Sequence, residues 1–162
     1  MNKSIEPAWM LEARRHIGVR EIPGVNHHPL IVRMWKAIRR GGIKDDETPW
    51  CAAFVGFCLE GVGIVSSRFE SARSYLTWGQ PIREPQHGCI VVMDRDGGGH
   101  VGFLTGVTKE GWLLVLGGNQ GNEVNIRAFP KNRVTGYRWP HAVPLPSLAV
   151  AVDDAPATTT EA

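Results

Sequence analysis

Between Pro7 and Ile17 the apolar residues Ala8, Met10, Leu11 and Ile17 alternate with Glu12, Arg14 and Arg15 in a helical rhythm, which predicts a first helix ending at Gly18. A loop with Gly and Pro runs from Glu21 to His28. After Pro29, the residues Leu30, Ile31, Met34, Trp35 and Ile38 share one helical face until Gly41 and Gly42, which predicts an amphipathic second helix. Trp50 to Leu59 is different in kind. It holds no charged residue, and its apolar side chains point all round the circumference, as in a buried helix. Thr48 reads as the side-chain cap of that helix and Pro49 as its first residue. A further helix is expected in Ser71 to Trp78, before Gly79 and Pro81 break the chain.

From Gly88 the period changes to that of short strands set off by Gly or Asn turns: Cys89 to Met93, His100 to Val107, Trp112 to Leu116, Val124 to Phe129 and Val134 to Trp139. Helices first and strands afterwards predict an α+β domain in which the Cys51 helix packs on one antiparallel sheet. Residues 1–140 form a single domain on this reading. The Ala-, Pro- and Thr-containing segment 141–162, which has no aromatic residue, is expected to be disordered.

With 162 residues, 43% hydrophobic and 21% charged, the chain has enough apolar material for a real core, which argues against disordered, collagen-like and coiled-coil classes. No apolar run approaches the roughly 20 residues that cross a bilayer. Met1 to Met10 lacks the apolar stretch of a secretory signal, so cytoplasmic synthesis is expected, and any work outside needs another exit route. The net charge of +2 is uneven, with nine Lys/Arg against three Asp/Glu in residues 1–44. Arg33, Lys36, Arg39 and Arg40 cluster there as a solvated helix face that can also meet an anionic polymer. No finger spacing, phosphate loop or aromatic RNA-binding signature accompanies them, so nucleic acid is not an expected partner.

Cys51, Cys58 and Cys89 are an odd number in a chain with ample core, which argues against a disulfide framework. Cys51 and Cys58, seven residues apart on one helix, are roughly 10.5 Å apart along its axis, too far to bond. Cys58 and Cys89 are assigned to packing. Cys51 stands apart because a helix start, with unpaired N–H groups and the positive end of the dipole, favours a thiolate. A thiolate nucleophile needs a base, and His100, at a strand start after Gly97, Gly98 and Gly99, is the best placed of the six histidines. Asn119, in the turn Gly117-Gly118-Asn119-Gln120, is placed to orient the imidazole. Asp94, Asp96, Asp45 and Asp46 raise the question of calcium, but neither run has the Gly and Glu of an EF-hand loop, and no metal is expected.

In sum these stretches are similar to the NlpC/P60 and CHAP type of cell-wall cysteine peptidases and amidases, in particular the small endolysin-like branch. The resemblance lies in GVREIPGVNHHPLI, DDETPWCAAFVGFCLEGVG, GHVGFLTG, VLGGNQGNEVNI and VTGYRWP, in that order, over nearly all of residues 8–140. It implies a papain-like α+β fold, no cofactor and peptidoglycan as the partner of a monomeric enzyme. It also implies cleavage of a wall-peptide amide by a phage or prophage endolysin, after release through a pore or delivery by a particle. Cys51 matches the nucleophile and His100 the base. Asn119 matches the third position, with Gln120, one residue on, as the competing assignment. Glu21 and Asn26 match the first motif and, with Trp50 and Gln120, are candidates to line the substrate groove; for Glu21 and Asn26 a loop-fixing role is the equal alternative. Many relatives carry an acid where this chain has Cys89, and many add a wall-binding module for which the remaining residues leave no room. Two rival readings stay open: a catalytically silent wall-binding or virion-structural domain, and a papain-like acyltransferase.

Overall fold

The computed structural model describes residues 6–146, 150, 152, 153 and 155–157. Helix α1 (Ala8–Arg14) is shorter than its apolar rhythm, because the chain tightens into turns after Arg14 and leaves the helix at Gly18, whose φ of 100° suits glycine. The Gly18 N–H donates to Val124 O, Val124 N–H donates to Val19 O, and Glu21 N–H donates to Asn122 O. The segment that leads out of α1 is thereby laid along residues 122–124, a long-range pairing that no local pattern announces.

Helix α2 (Pro29–Ala37) starts with Pro at its first position, and the His28 ring nitrogen Nδ1 accepts the Leu30 N–H at 3.1 Å. Ile31, Met34 and Trp35 form its buried stripe. Helix α3 (Cys51–Glu60) is buried on every side except at Phe57 and Glu60. Gly56 lets α2 approach it closely, since a Cβ there would overlap Ile38 Cγ2. The expected Thr48 cap is absent. Asp45 Oδ1 accepts the Glu47 and Thr48 N–H groups at 3.0 and 2.6 Å and winds these residues into a turn, so α3 begins at Cys51 with Trp50 as its N-cap and no side-chain cap bond.

The expected Ser71–Trp78 helix is a 3₁₀ helix over Ala72–Thr77. The sheet has six strands: β1 (Gln80–Ile82), β2 (Ile90–Arg95), β3 (Gly98–Val107), β4 (Leu113–Gly117), β5 (Asn125–Phe129) and β6 (Val134–Trp139). Their order is β1-β6-β2-β3-β4-β5, and every neighbouring pair is antiparallel. Strand β1 is absent from the sequence expectation because Pro81 reads as a breaker. It is tolerated at the sheet edge, where only one side of the strand is paired. Helix α3 lies against β3 and β4, so its first residue sits near the start of β3. In the tail expected to be disordered, Val152 bridges Val107 and Ala157 bridges Ala128, with Asp153 N–H donating to Val107 O; the other positions of the tail after 146, save 150, 155 and 156, lie outside the described residues.

One buried carboxylate ties the two halves of the helical layer together. Asp46 is fully buried and accepts the Ile22 and His28 N–H groups at 2.8 and 2.9 Å, with the His27 ring 3.0 Å away. Burial pushes its carboxyl up, but the Ile22 N–H, the His27 ring and the His28 N–H outweigh that and hold it below the ordinary Asp value. A carboxyl held low stabilises the fold fully above the unfolded value, about 3.9, and loses that contribution as pH falls through the folded value. Asp46→Ala is therefore expected to cost about 2 kcal/mol near neutral pH by stranding two N–H donors. Thermal melts of the two proteins should converge as pH drops below about 4.

Candidate active site

The start of α3 and the start of β3 bring Cys51 and His100 together. Helical packing fixes the first, and the register Met93 to His100 across β2 and β3 fixes the second. Both are nearly buried, Cys51 at 5% exposure and His100 at 1%. The first intrahelical bond of α3 runs from the Phe54 N–H to Trp50 O, so the N–H groups of Cys51, Ala52 and Ala53 precede the helical ladder and point out of its first turn.

The imidazole is held by a chain of directional bonds. Its Nε2 lies 3.0 Å from Gln120 Oε1, and Gln120 Nε2 donates to Val115 O, Asn125 O and Asn125 Oδ1 at 3.1, 2.9 and 3.0 Å. Because the amide nitrogen faces only acceptors, the amide oxygen must face the ring, and His100 Nε2 must carry a proton to donate to it. In the neutral ring Nδ1 is then the bare nitrogen, available to take the proton of Cys51. Phe129 stacks on the ring at 5.4 Å between centroids and limits its rotation. Of the two residues that the sequence reading leaves open for this place, Asn119 and Gln120, it is Gln120 whose amide oxygen meets the ring nitrogen Nε2. Asn119 is buried one residue earlier at φ 60°, a left-handed conformation that Asn tolerates, and this bend sends the Gln120 side chain back toward β3.

The flanking glycines explain the rest of the turn. A Cβ on Gly117 would overlap Gln120 Oε1, and one on Gly118 would come within 2.6 Å of Phe54 Cβ and the Trp50 ring. Gly117 therefore makes room for the orienting amide and Gly118 for the start of α3. Trp50 and Gln120, expected in the substrate groove, are fully buried and serve as scaffold. The Trp50 indole N–H donates to Glu21 Oε1 at 2.8 Å, which sets Glu21, half-buried, against the start of the cysteine helix. Burial and the charges of Asp46, Glu47 and Asp45 push the Glu21 carboxyl up, against the bond from Trp50. Asn26 lies exposed on the 21–28 loop.

Burial alone would push the Cys51 thiol up. The hydrogen bond and charge of His100, the Val101 N–H and the charge of Arg95 more than offset it, and the thiol is held below its ordinary value. Burial and the charge of Glu12 push the Cys58 thiol far up, and at Cys89 burial outweighs the backbone bonds of Gln86 and of Cys89 itself and pushes the thiol to about 12. Sequence reasoning missed Arg95, Phe129 and Asn125. Strand alternation carries the signal for Arg95, which falls two residues after Met93, the partner of His100. Among the described residues no group of three or more His, Cys, Asp or Glu is arranged to hold a metal ion, and no helix is long and apolar enough to cross a membrane.

In the native protein a small alkylating reagent is expected to modify Cys51 with a pH midpoint below that of free cysteine, about 8.5, and to leave Cys58 and Cys89 untouched. Gln120→Ala releases the ring to its other tautomer and should raise that midpoint while the fold persists. Site-resolved mass spectrometry of alkylation against pH measures both; an unchanged midpoint in Gln120→Ala would remove Gln120 from the positioning role.

Comparison with known proteins bears on the same residues. Residues 43–119, which span the start of α3, the β2–β3 hairpin and the turn to Asn119, match the sequence model of the CHAP domain family. The fold is similar to the crystal structure of the P60 domain of an antigen from M. avium subspecies paratuberculosis. That likeness covers 83% of this chain and 92% of that one, with a TM-score of 0.50 and 16% identity. No curated protein sequence matches. The family model thus matches the part of the chain that carries Cys51 and His100, and the fold is similar to that of a P60 domain.

Proposed function

We propose that the chain is a cysteine hydrolase that cleaves an amide bond of the peptidoglycan peptide. CHAP and P60 domains are in general cysteine peptidase or amidase domains acting on peptidoglycan, and the family match suggests that class here. The observation that carries the reading is the row Cys51, His100, Gln120, in which the amide leaves Nδ1 bare beside a thiol held low. The motif resemblance to the endolysin-like branch supports the finer reading of a phage or prophage lysin that meets the wall after release or delivery.

In this mechanism the Cys51 thiolate attacks the amide carbon and a C–S bond forms. The oxygen takes the negative charge and is held by N–H groups at the start of α3, that of Cys51 included. His100, having taken the thiol proton, passes it from Nδ1 to the departing amine as the C–N bond breaks, and a thioester remains. The neutral ring then takes a proton from water. The resulting hydroxide adds to the thioester, the C–S bond breaks, and a carboxylate and the thiolate are released. Gln120 stays on Nε2 throughout, so the ring shuttles its proton on one side only.

Purified peptidoglycan digested with wild type, Cys51→Ala and His100→Ala tests this directly. Mass spectrometry should show fragments carrying a new amine and a new carboxylate with wild type, and a loss on the order of 10³-fold or more with either variant. Fragments released equally by Cys51→Ala would overturn the assignment.

A further inference from the structure

Beyond the reacting pair, the turn that follows α3 and the 3₁₀ helix Ala72–Thr77 enclose an open cleft of about 390 Å³, within the range of a small-ligand site. Among the described residues its walls are Ser66, Ser67, Phe69, Ser74, Thr77 and Trp78, four hydroxyls and two aromatic rings with no charged group. The walls are held from behind. Glu60, at the end of α3, accepts the Ser66 N–H at 3.0 Å, the Ser66 hydroxyl at 2.8 Å and the Arg68 Nε–H at 3.0 Å, and Arg68 is bent to φ 53°. The Trp78 indole N–H donates to Val65 O at 2.9 Å, and the Tyr75 ring meets Trp78 edge-on at 5.4 Å between centroids. Phe69, 43% exposed, has the Arg40 guanidinium 4.9 Å from its ring centroid. Both rings are thus oriented before any ligand arrives. The cleft adjoins the two elements that carry the pair. A Cβ on Gly56, five residues after Cys51 on α3, would come within 3.2 Å of Ser66 Cβ, and one on Gly99, next to His100, within 3.6 Å of Ala72 Cβ.

The hydrogen-bonding character of the walls selects the ligand. Ser66 Oγ donates its proton to Glu60, Thr77 Oγ1 donates to Ser74 O at 3.4 Å, and Ser74 Oγ is shared between Ser71 O at 2.6 Å and Ser67 Oγ at 2.7 Å. A hydroxyl that has given its one proton still offers acceptor lone pairs. The cleft therefore presents acceptors and favours a ligand that brings donors. An ionised carboxylate or phosphate brings none. An ammonium finds no free counter-charge, since Glu60 is paired with Arg68 and Glu70 with Arg40. A sugar unit brings several O–H donors without net charge, and its C–H face packs on an aromatic ring. We propose that this cleft is a saccharide-binding subsite that takes a neutral sugar of the wall glycan beside the peptide to be cut. The chemistry of the walls names a neutral saccharide; that it belongs to the wall glycan rests on the hydrolase reading above.

Nitrogen-15 NMR of the full chain, titrated with the linear trimer of N-acetylglucosamine, tests this. Saturable shifts are expected at the Trp78 indole N–H and at the backbone amides of Ser66, Ser67, Phe69 and Thr77, with little change elsewhere. Phe69→Ala, at an exposed position, should weaken binding about 10-fold, and Phe69→Tyr should retain it. An absence of saturable shifts, shifts spread over other faces, or binding untouched by Phe69→Ala would overturn the subsite. So would a glycan-free stem peptide that moves these signals where the trimer does not. Incubating the same protein with peptidoglycan separates the two readings. Trimer binding by a protein that releases no fragments would overturn the hydrolase and leave a saccharide cleft, whereas fragments without trimer binding would overturn the cleft and leave the hydrolase.

Discussion

The carboxamide of Gln120 is the constraint on which the site depends. Three acceptors, from Val115 and Asn125, fix its nitrogen, and its oxygen is thereby committed to His100 Nε2. The acceptors belong to neighbouring strands of the sheet, so the tautomer of the imidazole is set by the pairing of β4 with β5. A carboxylate in that place would meet three acceptors and be repelled. The neutral amide is the group that this environment admits.

Other parts of the fold make that bond possible. Gly117 clears the space for the amide, Asn119 supplies the left-handed bend, and Gly118 lets Phe54 and Trp50 close over the turn. The closure fixes the start of α3, and with it Cys51. Trp50 holds Glu21, and the backbone of residues 18–21 is paired to 122–124, so the first loop is anchored to the far side of the same turn. Asp46 fixes the rest of that loop from below. The buried carboxylate of Asp46 and the left-handed Asn119 thus lie in the segments that hold the start of α3 and the turn against His100.

Much of this was legible in the residues. The apolar circumference of Trp50 to Leu59 announces a buried helix, the change of period at Gly88 announces the sheet, and Cys51 with His100 follows from helix and strand starts. What was not legible depends on contacts between distant segments. Thr48 looks like a cap until Asp45 takes its N–H. Pro81 looks like a breaker until the sheet gives it an unpaired edge. Asn119 and Gln120 are both polar and adjacent, and only the direction of the chain after a positive φ decides which one reaches the ring. Trp50 reads as a surface for ligands in a chain with six Trp, yet its ring is spent on Gly118 and Glu21.

The central claim is that the amide of Gln120 keeps the proton on His100 Nε2 and leaves Nδ1 to exchange one with Cys51. Nitrogen-15 NMR of the His100 ring, assigned by comparison with His100→Ala, measures this without substrate. The account predicts a proton on Nε2 at every pH where the protein is folded, with Nδ1 alone gaining and losing its proton. A ring protonated at Nδ1 and bare at Nε2 in the free protein would contradict it.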